Sequence, residues 1–451
     1  MEDKGNKSGG YVVAIDLGSS KLVGVLAHKT SNQEVNIIAS MVEPTDNCIR
    51  RGCVYNVNDV TAKINKIIKG LEEKSHQKID KIYVNLNGRS LRSEVMIPER
   101  SFEEGESITE NDIESIQEQI KENRVPEYEI LQNTEPQYFV DEQLVSNPVG
   151  VVGLTLSAPY LSIIALPSLK MNISKSIQCV NNVGYVIGPL ATAQVILTEN
   201  EKQAGVAMID FGGGCTSLVI YKNGQLRHLA VIPFGGDNIT KDLCTLNFNQ
   251  EMAERLKARI GCLKIDAESQ KVVSTGNGEE VLETKISQVI RARQGEILKN
   301  VLKQLSSEEL ERELVCGIVV TGGASKIPGL FDFIRSIIPQ RLRSTTINIK
   351  QSLPYYPKGV KDEFKAPEYS ALHGLLYVGA PDCVRKVEEK EPETPKGDVK
   401  VITEEEEKKA GEGKKKKSGT SWKDIIKRAK GSTKRWNNDL FSTDDDKESD
   451  F

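Results

Sequence analysis

Histidine is scarce in this 451-residue chain, with four copies, and the eight cysteines never fall in a Cys-x-x-Cys pair. That spacing argues against the common structural zinc sites. Scattered cysteines in a large chain instead suggest reduced thiols in a cytoplasmic protein. Aromatic residues make up only 5%, and the two tryptophans, Trp422 and Trp436, both lie near the C-terminal end. No apolar run reaches the ~20 residues of a membrane-spanning helix. The best candidate, 149–169, is broken by Gly150, Gly153, Pro159 and Pro167 and reads as short buried strands. Residues 1–10 are polar and lack the apolar centre of a secretory signal. Net positive charge is missing too: the formal charge is −4, so no nucleic-acid partner is expected.

What is present is an ordinary globular composition, 38% hydrophobic and 27% charged, in a length that suits two or three domains of ~150 residues. The informative feature is an internal repeat. Residues 11–15 form an apolar run, Asp16-Leu17-Gly18-Ser19-Ser20 is turn chemistry, and Leu22, Val23, Val25 and Leu26 restart a strand. The same order recurs at 206–209, then Asp210-Phe211-Gly212-Gly213-Gly214-Cys215-Thr216, then 218–221, followed by an Asn223-Gly224 hairpin turn. A third apolar strand, 317–320, leads into Thr321-Gly322-Gly323-Ala324-Ser325 and a helical pattern from about 327. Helices are also expected over 113–120, 249–262 and 286–305, and paired strands over 154–166.

An Asp-x-Gly turn between strands exposes backbone N–H groups that can cradle phosphate, with glycine allowing close approach. A single copy is ordinarily just a hairpin. Two copies with matching strands, plus the Thr-Gly-Gly turn, point to a nucleotide held between two α/β halves. Asp16 and Asp210 would repel phosphate, so their expected task is to hold Mg2+ through its waters.

These motifs resemble those of the actin, Hsp70 and sugar-kinase superfamily, and within it the FtsA family. Residues 15–20 look like the first phosphate motif, 209–216 like the second, and 320–325 like the adenosine motif; 188–193 and 370–375 are similar to its two inter-lobe helices. Lys21 directly after Ser20, Arg51-Gly52, 57–59, 136–138 with Asp141, 147–150, and 253–257 ending at Gly261-Cys262 resemble FtsA in particular. The resemblance covers about 11–379. It implies an actin-like α/β fold of two ribonuclease-H-like lobes around a nucleotide cleft. Lobe 1 would comprise 10–84 and 167–195, an FtsA-type inserted subdomain 85–166, lobe 2 196–238 and 306–381, and a further subdomain 239–305. It also implies ATP and Mg2+ as ligands, with Gly18, Ser19, Ser20 and Lys21 on one side of the phosphates and Gly212, Gly213, Gly214, Cys215 and Thr216 on the other. Gly322, Gly323 and Ala324 would pack on the adenosine, and Glu254 and Lys257 would meet the ribose or base. Cys215 departs from the small hydroxyl residue more usual there, and cysteine is a poor hydrogen-bond partner. No side chain is identified as a general base, so ATP is expected as a structural and switching ligand, hydrolysed slowly at most, and the chain is not expected to be an enzyme.

The implied partners are the C-terminal peptide of the tubulin-like FtsZ at 239–305, further copies of this chain in actin-like protofilaments, and later division proteins. The insertion 85–166 would carry polymer contacts; its residues alone fit an interaction module or an inert lobe equally. Residues 382–420, rich in Glu, Lys and Pro, read as a disordered linker. In 421–441, Trp422, Ile425, Ile426, Ala429, Trp436 and Leu440 fall on one helical stripe amid Lys and Arg, the pattern of an in-plane membrane-binding helix. Each large anchor would contribute ~2 kcal/mol and each cation about 1 kcal/mol on anionic lipid. Against ordering entropy that makes one copy a weak, reversible binder and a polymer a firm one. An acidic tail, 442–451, follows. The expected role is therefore to anchor the FtsZ ring peripherally on the cytoplasmic face of the inner membrane at the division site. The alternative is an actin-like scaffold of type IV pilus assembly. A sugar kinase leaves the linker and tail without purpose, and an Hsp70-type chaperone needs a β-rich domain that the polar residues beyond 381 do not supply.

Overall fold

The repeat read from sequence is a repeat of topology. The computed structural model describes residues 9–30, 34–261, 270–275, 278–305, 314–338, 349–351 and 364–384. In the first lobe the spatial strand order is Asn182–Ile187, Lys81–Leu86, Gly10–Leu17, Lys21–Lys29, Val35–Pro44. In the second lobe the corresponding order is Ile349–Gln351, Ile318–Thr321, Val206–Phe211, Thr216–Lys222, Gln225–Ile232. Each lobe has an antiparallel hairpin at its centre, a third antiparallel strand on one side and two parallel strands on the other. The central strands are near-continuous apolar runs because both faces are covered. Val12, Val13, Ala14 and Ile15 are fully buried in one lobe, and Val206, Ala207, Met208 and Ile209 in the other.

Helix Val57–Ser75 covers one face of the first sheet. Its side chain cap is Asn56, which accepts from the Asp59 N–H, and Ile64, Ile67, Ile68 and Leu71 form its buried stripe. Helices Gly188–Ile196 and Ser370–Val378 follow the outer parallel strand of each lobe and cross one another. They cross where Gly374 meets Ala191: a Cβ on Gly374 would stand 2.4 Å from the Ala191 carbonyl. Lys29, at the end of its strand, donates from Nζ to the carbonyls of Leu376, Tyr377 and Gly379, satisfying the C-terminal end of the second crossing helix.

The second sheet continues beyond Gln225–Ile232 through Arg92–Met96 and Tyr160–Ala165 to Glu129–Asn133, so strands of the inserted region extend it. The rest of the insertion is a four-stranded sheet, Gln143–Val145, Tyr138–Val140, Thr155–Ser157, Glu99–Ser101, against helix Glu110–Glu122. These share a separate core around Ile108, Ile116, Val140 and Leu156. The strand pair expected over 154–166 is corrected here. Thr155–Ser157 and Tyr160–Ala165 are both strands, but they belong to different sheets. Pro159 between them has no N–H for a ladder, and the chain changes sheets there. The strand reading of 149–169 ends at Ala165, because Pro167 opens helix Pro167–Ser176.

Helices Gln250–Ile260 and Glu283–Gln304 form where expected, the first capped by Asn249. Past the second crossing helix, Cys383 N–H donates to the Tyr11 carbonyl, Asp80 and Lys81 N–H donate to the Cys383 carbonyl, and Lys81 pairs with Asp382 at 2.7 Å. Residues 382–384 thus belong to the first lobe and not to the linker expected from 382. The remainder of that segment, the membrane residues Trp422, Ile425, Ile426, Ala429, Trp436 and Leu440, and the acidic tail lie outside the described residues.

Candidate nucleotide cleft between the lobes

Both Asp-x-Gly turns have the same build. Leu17 pairs with Leu22 and Phe211 with Thr216, leaving 18–21 and 212–215 as equivalent loops. A Cβ on Gly18 would meet the Lys21 carbonyl oxygen at 2.6 Å, and one on Gly212 would meet that of Cys215 at 2.9 Å. Glycine is required at the same place for the same reason. The loops face each other: a Cβ on Gly214 would come within 2.4 Å of the Ser19 hydroxyl, which accepts from the Gly52 N–H at 3.0 Å.

One carboxylate from each lobe sits beside its loop. Asn85 fastens Asp16, donating from Nδ2 to Asp16 Oδ1 at 2.7 Å and accepting the Leu17 N–H at 2.8 Å. Burial pushes the Asp16 carboxyl up to about 6, with Lys21 and Asn85 pulling the other way. Burial and the charge of Asp16 push Asp210 up to about 7. Lys21 lies 3.9 Å over the Tyr369 ring. The third glycine turn closes on the same carboxylate. Gly322 has φ +88, and a Cβ there would stand 2.2 Å from Asp210 Oδ1.

Together these groups line a cavity of ≈ 120 Å³: Asp16, residues 18–21, Gly52, Asn85, Asn87, Asp210, residues 212–215, Gly322 and Gly323, with Pro367, Glu368 and Ala371. Four residues expected at the site do not line it. The Thr216 hydroxyl donates to the Phe234 carbonyl and holds its strand to the neighbouring segment. Ala324 is buried in the short 3-10 turn Gly323–Lys326. Lys257 donates to the Gly236 carbonyl, the Thr240 hydroxyl and Glu254 Oε2. It and Glu254 thus form a network behind Gly236, whose own Cβ would be 3.3 Å from Ala324.

Sequence reading did not single out Asn85, Asn87, Gly52 or the 367–371 segment for the site. Asn85 and Asn87 had a signal: they end a buried strand parallel to the first, and ligands in α/β sheets collect at such ends. A larger cavity, ≈ 590 Å³, lies between strands Glu129–Asn133 and Asn182–Ile187. It has neither a carboxylate nor a glycine turn in its lining, and so lacks the groups expected to hold phosphate and Mg2+.

The cleft fits a magnesium-bound triphosphate. It offers two glycine turns whose backbone can approach an anion closely, and two carboxylates, Asp16 buried and Asp210 half-buried, that among the described residues pair with no cation at ion-pair distance and are held above the usual carboxylate range. Asp16 and Asp210 would hold Mg2+, and the loops 18–21 and 212–215 the phosphates. Two topologically matched lobes, crossed helices behind them and a glycine-lined cleft between them define the actin-like fold. The comparisons agree. A solved structure described as a "PilM-PilN type IV pilus biogenesis complex" superposes with a TM-score of 0.55 over 81% of this chain and 97% of that one. At 16% identity this likeness carries the fold alone. The model of "Cell division protein FtsA" matches residues 207–374, and that of the "SHS2 domain inserted in FTSA" matches 87–164. The cell division protein FtsA of Porphyromonas gingivalis is 30% identical over 386 residues, 82% of this chain and 78% of that protein. That of Buchnera aphidicola is 31% identical over 395 residues, 82% of this chain and 90% of the relative. The chain belongs to the FtsA family.

Proposed function

We propose that this chain is a cell division scaffold that binds ATP with Mg2+, polymerises in an actin-like manner and anchors the FtsZ ring to the cytoplasmic face of the membrane while recruiting later division proteins. The observation that carries the nucleotide part is the doubled glycine turn beside one carboxylate from each lobe in a shared cleft. The cavity of ≈ 120 Å³ is below the ~300 Å³ of ordinary ligand sites, so the lobes part to admit ATP and close on it. Nucleotide thereby reports on lobe closure, and lobe closure sets the shape a copy presents to its neighbours.

The division role rests on family membership. The FtsZ peptide is assigned to the 239–305 region, whose basic residues Arg255, Arg259, Arg291 and Arg293 suit an acidic, apolar peptide. The membrane contact is assigned to 421–441, by its apolar stripe and cationic face. No described helix is long and apolar enough to cross a membrane, which leaves peripheral attachment as the mode that needs no span. ATP serves as a switching ligand with slow turnover, not as the substrate of an enzyme.

Co-sedimentation with anionic vesicles tests this. The full chain, with ATP, should carry purified FtsZ into the vesicle pellet, and a chain ending at Gly419 should leave it in solution. Equal behaviour of the two would remove the tail as anchor. A full chain that pellets alone, leaving FtsZ soluble, would remove the division tether.

A further inference from the structure

We propose that Asn87 positions the water that attacks the terminal phosphate of a nucleoside triphosphate bound in this cleft. This rests on the nucleotide reading above and supplies the group that the motifs did not identify.

The internal repeat locates Asn87. In the second lobe Asp210 pairs with Thr321, so Gly323 lies two residues past the carboxylate's level, in the turn assigned to adenosine. In the first lobe Ile15 pairs with Val84, which sets Asp16 level with Asn85 and makes Asn87 the counterpart of Gly323. Lobes related in this way place these two residues at opposite ends of the shared cleft. Gly323 stands by Glu368, 3.3 Å from a Cβ on the glycine. Asn87 stands by Gly52, whose Cβ would be 3.0 Å from the Asn87 carbonyl, and Gly52 leads through Ser19 to Gly214. A nucleotide with its adenosine at the Gly323 end brings its terminal phosphate to the Asn87 end.

The second observation is chemical. Asn87 Oδ1 is buried, lines the cavity and accepts no hydrogen bond. Asn85, two residues earlier, has both ends of its amide engaged. Buried acceptors are almost always satisfied, and an exception calls for a partner. Phosphate oxygens are acceptors themselves and cannot serve. A water can, donating one hydrogen to Asn87 and turning its oxygen toward phosphorus. In the step, the water oxygen bonds to the terminal phosphorus. The bridging P–O bond breaks, its electron pair leaving on the nucleoside diphosphate, and the water's proton passes to a phosphate oxygen. An amide orients but does not take up a proton, so hydrolysis is slow. Asn87 is a positioning residue in this scheme.

The test uses the purified full chain with Asn87→Leu, which removes the acceptor at similar size, and Asn87→Asp, which can only accept. Three quantities are read: thermal unfolding without nucleotide, affinity for a fluorescent ATP analogue, and single-turnover phosphate release at saturating ATP. The Leu variant should unfold ~1–3 °C higher, since an unpaired buried acceptor is gone. It should bind within about twofold of wild type, as no ground-state contact to phosphate is lost, yet release phosphate at least ~10-fold more slowly. The Asp variant should keep most of the release per bound nucleotide. Wild-type release rates in the Leu variant, or a wild type that binds ATP and releases no phosphate, would overturn the proposal. A wild type that binds no nucleotide would overturn the nucleotide reading and this proposal with it.

Discussion

Asp210→Asn should make the nucleotide-free protein more stable at alkaline pH while depriving it of its response to magnesium. Asp210 is held at about 7 against an ordinary 3.8, by burial first and by the charge of Asp16 second. A carboxyl raised in the folded state keeps its proton better there than in the unfolded chain. Its contribution to stability is therefore fully present below 3.8 and is lost as pH rises through about 7. At ~1.4 kcal/mol per unit, ionising Asp210 in the folded protein at pH 8 costs up to about 4 kcal/mol. The asparagine has the same shape and no charge to bury. Thermal unfolding in EDTA at pH 4 and pH 8 should show little difference between variant and wild type at the lower pH. At the higher pH the variant should gain on the order of 5 °C. Adding Mg2+·ATP at ~100 times its dissociation constant should stabilise the wild type by ~2.7 kcal/mol. The variant should lose the magnesium-dependent part of that gain, because Asp16 alone must hold the ion. Equal unfolding temperatures at pH 8, or an undiminished magnesium response, would refute the assignment of these carboxylates to the metal.

Three further outcomes follow from single contacts. Gly374→Val inserts a side chain where even a Cβ would stand 2.4 Å from Ala191, so it should destabilise by about 3 kcal/mol or more and shift the unfolding midpoint in denaturant. Lys29→Met leaves the carbonyls of Leu376, Tyr377 and Gly379 without their shared donor, and should cost ~2 kcal/mol, read as a lower midpoint at unchanged slope. Asn85→Ala frees the Asp16 carboxylate, so ATP binding should demand several-fold more Mg2+ while binding in EDTA changes little; titrating Mg2+ against a fluorescent nucleotide checks this.

How much was legible varies by element. The two glycine hairpins could be read directly, since strand, turn and returning strand are local and glycine there is dictated by the chain's own nearby carbonyl. The 154–166 segment could not be assigned to its sheets, because strand character is local whereas the choice of partner depends on strands distant in sequence, Glu99–Ser101 for one and Arg92–Met96 and Glu129–Asn133 for the other. Lys257 and Glu254 illustrate the same limit at the site. Their helix was foreseen, and its cap and their own i,i+3 pair are local, but that Lys257 reaches the Gly236 carbonyl and the Thr240 hydroxyl depends on how the helix docks.

By itself, then, the sequence determined the repeat, the doubled Asp-x-Gly chemistry and the family, because turns, strand runs and capping depend on neighbours within a few residues. Tertiary structure alone decided that Asn85 grips Asp16 across 69 positions, that Ser19 and Gly214 meet, that Asp16 and Asp210 share one desolvated space, and that Asn87 is left with an unanswered acceptor. Those are facts of approach between distant segments, and burial and field, which set the carboxylates' protonation, exist only once the lobes have packed.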